Sequence, residues 1–126
     1  MARLNDDELA TPMADGWTLA AVLAHLTFWD RRAVLLVERW QRGGVCASPA
    51  DIDAINDSAK AQWLALPPRI AAQQAVEAAR AADAALDAAG PDLLQQIVHM
   101  GSSINISRAV HRDEHLHEIE QRLQRK

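Results

Sequence analysis

Six apolar residues, Val22, Leu26, Trp29, Ala33, Leu36 and Trp40, recur at spacings of four, three, four, three and four. An α-helix turns once in about 3.6 residues, so this alternation keeps one face apolar for about five turns. Such a seam belongs to a helix packed in a bundle. The segment opens at Trp17-Thr18-Leu19, where the Thr18 hydroxyl can cap the first turn. It closes near Arg42, where Gly43-Gly44 ends it.

The rest of the chain supplies further helices. Alanine, the best helix former, provides much of the 49% hydrophobic content, and there is one Phe and no Tyr. Val, Ile and Thr are too scattered to suggest strands. A second helix fits 51–66 after Ser48-Pro49, and Pro67-Pro68 then breaks it. A third, alanine-rich helix fits 69–89, with Ile70, Val76, Ala79 and Leu86 as its apolar positions and Gly90-Pro91 as its stop. Residues 92–100 suit a short helical turn, and a last helix fits the chain from about Asn105 onward. The expected fold is all-α, a four-helix bundle, with residues 1–126 as a single domain.

The formal net charge is −4, with no local Lys/Arg cluster, which argues against a nucleic-acid-binding face. No apolar run approaches the roughly 18 residues of a membrane span, and the N-terminus lacks a signal-peptide pattern. The single Cys46 excludes an internal disulfide, and a cytoplasmic location is expected. Cys46 itself reads as a small loop residue or as a reactive thiol.

Histidine placement carries the functional signal. His25 falls about 60° from Val22, 40° from Trp29 and 20° from Leu36 around the helix, so it points toward the core. A lone core-facing histidine is commonly a structural residue with a hydrogen-bond partner. His111 and His115 lie one turn apart on the last helix, flanking a stripe of Leu116, Ile119 and Leu123. Residues i and i+4 share a face, so two such imidazoles can converge on one ion, although the same spacing also occurs on exposed helices. Burying three imidazoles unpaired would cost several kcal/mol, and a divalent metal would satisfy all three while leaving a fourth position open. His117 sits about 160° from His115 and reads as a surface residue. His99 is a candidate fourth ligand.

Other residues share the neighbourhood of His25. Trp29 walls a pocket or simply fills core. Arg32, about 20° from His25, anchors a substrate carboxylate or phosphate, or snorkels at the rim. Asn56 orients a ligand or thiol, or is an exposed polar residue. Glu114 and Glu118 are second acceptors for a ligand N–H or ordinary surface charges. Four tryptophans in the chain suit an aromatic-walled pocket or a homodimer interface.

The stretch WTLAAVLAHLTFWD at 17–30, together with the His111/His115 pair, resembles the DinB/YfiT-like superfamily, in particular its branch of mycothiol-dependent maleylpyruvate isomerase N-terminal domains. The resemblance implies a four-helix bundle whose metal faces a cleft. It also implies His25, His111 and His115 as ligands to a divalent metal, zinc or nickel, and a low-molecular-weight thiol as cosubstrate. The expected activity is a thiol S-transferase or isomerase acting on a small electrophile. The alternative is a non-catalytic small-molecule-binding or interaction bundle with a structural metal site. The maleylpyruvate isomerases carry a C-terminal extension into which this sequence does not continue, so the expectation concerns this chemistry in general rather than that particular isomerisation.

Overall fold

The computed structural model describes residues 4–46, 51–99 and 117. In chain order these form α1 (Asp6–Leu9), α2 (Leu19–Gly43), α3 (Ile52–Ala65) and α4 (Pro68–His99). Among the described residues there is no strand, only an isolated bridge between Pro12 and Thr18. The chain is an all-α helical bundle, in keeping with its alanine content. Apart from His117, which is helical, the expected last helix lies outside the described residues. No described helix is long and apolar enough to cross a membrane.

Local chemistry sets the helix ends. Thr18 is extended and its hydroxyl accepts from the Ala21 N–H at 3.1 Å, starting α2 one residue later. At the other end the Gly44 N–H donates to the Trp40 carbonyl at 2.9 Å. Asp51 caps α3 by accepting from the Ala54 N–H at 3.0 Å. Leu66 (φ −67°, ψ 133°) leaves the helical region because a residue before proline is pushed toward extended backbone.

Packing of α2 against α4 dominates the described core. The face of α4 that meets α2 is made of Ala71, Ala75, Ala78, Ala82 and Leu86. Here the structure corrects the expected apolar positions: Ile70 is 42% exposed, and Val76 and Ala79 are only half-buried. The physical reason is steric complementarity. The leucines and Trp40 of α2 already fill the space between the axes, so the facing helix presents small side chains.

The expected stop at Gly90-Pro91 holds, and the segment after it is helical, where a short helical turn over 92–100 is expected. Helical structure resumes and continues to His99 across a kink at Gly90 (φ 81°, ψ 161°). Only glycine adopts that φ without strain, and Pro91 opens the resumed helix, where its missing N–H is not needed. The redirected segment folds back so that Ile97, Leu93 and Leu94 join Ala33, Leu36, Val37, Trp40 and Leu86 in one apolar cluster.

Before α2 lies an element not anticipated from sequence. Asn5 and Glu8 form a capping box, with the Glu8 N–H donating to Asn5 Oδ1 at 2.8 Å and the Asn5 N–H donating to Glu8 Oε1 at 3.0 Å. This short α1 delivers Leu9 into full burial. Arg69 of α4 holds it there by donating to the Leu4 carbonyl and to Asp6 Oδ1, each at 2.8 Å.

Candidate functional site

His25 is half-buried in the second turn of α2 and is surrounded by indoles from three directions. Its ring centroid lies 6.0 Å from Trp17, 6.4 Å from Trp29 and 5.7 Å from Trp63, each pair meeting edge-on at 67–78°. Trp17 precedes α2, Trp29 is one turn further along it, and Trp63 belongs to α3. Phe28 completes the wall, with its ring 5.0 Å from Trp29 and 5.9 Å from Trp63.

One side chain fixes the imidazole. Asn56 of α3 places Oδ1 3.2 Å from His25 Nδ1 and 3.2 Å from Trp29 Nε1. An indole N–H can only donate, so the Asn56 atom facing it must be the carbonyl oxygen. That oxygen has two lone pairs and no proton, so His25 Nδ1 must also donate to it. In the neutral ring the proton therefore sits on Nδ1, and Nε2 carries the lone pair. An acceptor holding the far N–H of a histidine in this way is the usual support of a metal-ligating imidazole.

Trp17 owes its position to a reverse turn. Asp15 (φ 58°, ψ 31°) and Gly16 (φ 79°) both lie in the left-handed region, and the Trp17 N–H closes onto the Ala14 carbonyl at 3.2 Å. Those values define a type I′ turn, which Asp-Gly favours. The flanking bonds Met13 N–H to Trp17 carbonyl (2.7 Å) and Leu19 N–H to Thr11 carbonyl (2.9 Å) close the loop. Lys60 of α3 clamps it by donating to the Asp15 carbonyl at 2.6 Å with its Nζ 5.6 Å from the Trp17 ring centroid.

Of the residues singled out from sequence, His25, Trp29, Arg32 and Asn56 come together here. Arg32 stacks on Trp29, its guanidinium carbon 5.7 Å from the ring centroid, and burial lowers its pKa from the ordinary value. Asn56 is half-buried rather than on an open surface, and it orients His25 itself. His111, His115, Glu114 and Glu118 lie outside the described residues. His117 is helical and exposed, and Cys46 is exposed. His99 sits exposed at the end of α4 rather than in a connector. Among the described residues no group of three His, Cys, Asp or Glu side chains is arranged to hold a metal.

Sequence reasoning offered the tryptophans only collectively as a pocket wall or dimer interface, and missed that Trp17 and Trp63 flank His25, along with Phe28 and Lys60. Trp63 had a legible signal, since it follows Asn56 by seven residues and so shares its helix face. Asp15-Gly16 was the other, a turn dipeptide placed directly before a tryptophan.

Neither a curated protein nor a solved structure matches the chain. A family model does: the mycothiol maleylpyruvate isomerase N-terminal domain matches residues 1–120. With the helical bundle and the His25 stretch both in place, the chain belongs to the mycothiol maleylpyruvate isomerase N-terminal domain family.

Proposed function

We propose that this protein is a divalent-metal-dependent enzyme, a low-molecular-weight-thiol S-transferase or isomerase acting on a small electrophile. His25, His111 and His115 hold the metal, zinc or nickel, in this reading. The observation that carries it is the bond from His25 Nδ1–H to Asn56 Oδ1, the kind of support that fixes the plane and tautomer of a metal-ligating histidine. That donor chemistry fits a borderline-soft divalent cation.

When bound, such a cation supplies a charge that deprotonates a coordinated thiol at neutral pH. The chain's own residues prepare the place. Asn56 fixes the plane of the His25 ring and the position of its proton. Trp17, Trp29 and Trp63 pack around that ring, limiting water and lowering the local dielectric, which strengthens every electrostatic contact inside. Arg32, immobilised on Trp29, offers a cation to an anionic group of the substrate.

Protein purified without a metal-binding tag tests this reading. Stoichiometric metal is expected at neutral pH, and His25→Ala is expected to lose it. The metal should also leave below about pH 6, because a protonated imidazole has no lone pair to donate. The same His25→Ala change should abolish consumption of a low-molecular-weight thiol in the presence of an electrophile. Absence of bound ion in the wild-type protein contradicts the proposal. Metal loss that lowers only the melting temperature, with no turnover to lose, supports a non-catalytic bundle instead.

A further inference from the structure

Beside the His25 box, α2, α3 and α4 enclose a groove of about 400 Å³. Phe28, Trp63, Leu66 and Leu35 give it apolar walls, and Arg31 and Arg32 provide its charge. Among the described residues, none that lines it is acidic. This runs against the chain as a whole, whose formal net charge is −4. Arg31 is exposed, and among the described residues it forms no ion pair with a carboxylate. Arg32 reinforces the positive field from its stacked position on Trp29. The volume lies within the range of small-molecule sites, which are apolar with a few convergent polar groups.

We propose that this groove binds a small organic anion with a flat apolar body, an aromatic monocarboxylate, its ring against Phe28 and Trp63 and its carboxylate at Arg31. The walls select for the body and the guanidinium for the charge; a small dianion without an apolar body satisfies only the second. Trp63 belongs both to this groove and to the wall around His25, so the two share one side chain, while His25 itself does not line the groove. The inference rests on the proposed function only in making this ligand the substrate. Binding itself requires none of the histidines.

Calorimetric titration of the full chain with 2-naphthoate tests it. Saturable binding is expected, weakened by about ten-fold or more in Arg31→Gln, since a charge-assisted contact is lost. That variant should melt like the wild type because Arg31 is exposed. The neutral 2-naphthalenemethanol should bind about ten-fold or more weakly for the same reason. Maleate, a dianion with no apolar body, should not compete. His25→Ala should bind 2-naphthoate as the wild type does, so a failed metal site leaves this result standing. No saturable binding, unchanged affinity in Arg31→Gln, equal binding of the neutral alcohol, competition by maleate, or binding lost with His25 would each overturn the assignment.

Discussion

α3 and α4 cover the same long helix on different terms. α4 buries Ala71, Ala72, Ala75, Ala78, Ala82, Leu86 and Ile97, whereas α3 has no fully buried residue. What α3 offers α2 and the turn before it is Asn56, Lys60 and Trp63, polar or amphipathic groups that are all half-buried. The tryptophans divide in the same way. Trp40, 3% exposed, fills core beneath the end of α4, while Trp17, Trp29 and Trp63 stand half-buried around an imidazole. Close packing of small and large apolar groups stabilises one side of α2. The other side keeps hydrogen-bonding capacity and room for a ligand, and gives up apolar burial to do so.

Substitutions on the two sides should therefore separate stability from binding. The largest effect is expected from Trp40→Ala, which empties the apolar cluster and should cost about 3–5 kcal/mol in denaturant unfolding. Its failure to destabilise would remove the contrast at once. Asn56→Ala should leave the fold largely intact but weaken metal binding about 10–100-fold, measured by competition with a chelator. Asn56→Asp keeps an acceptor toward His25 and should restore most of that affinity, an outcome that mere loss of packing would not give.

A smaller and purely steric contrast comes from added methylenes. Ala75→Leu should destabilise by about 1–3 kcal/mol, because it forces α4 off α2. The same change at exposed Ala61 of α3 should fall within about 0.5 kcal/mol of zero. Equal effects at the two positions would mean that α3 packs as α4 does. The smallest shift is expected for Lys60→Met, which removes the cation over Trp17 and should lower stability by about 0.5–1 kcal/mol, read in thermal melts.

The contrast also explains what the sequence could disclose. The α2 seam and its caps were legible because they depend on residues a few positions apart: Thr18 with Ala21, and Gly44 with Trp40. The seam of α4 was hidden because alanine occupies buried and exposed faces alike, so Ala75 and Ala81 look the same until a partner helix is present. The break at Gly90-Pro91 was legible, since glycine takes the left-handed φ and proline opens the next helix, but that the second segment packs back through the buried Ile97 was not.

At the site, rotation around the helix turned His25 toward the core, and the structure finds it half-buried among tryptophans. That rotation could not reveal that Asn56, on another helix, would fix the proton of its ring. Contacts between elements distant in sequence, such as His25 with Trp63, leave no local periodic mark. His111 and His115 were read from their spacing alone, and they lie outside the described residues.

The account turns on the state of the His25 ring, which two-dimensional ¹H–¹⁵N NMR of the histidine side chains reads directly. At neutral pH in metal-free protein, His25 should carry its proton on Nδ1, and added zinc should shift its Nε2 resonance while leaving Nδ1 protonated. A ring protonated on Nε2, or one indifferent to zinc, would contradict it.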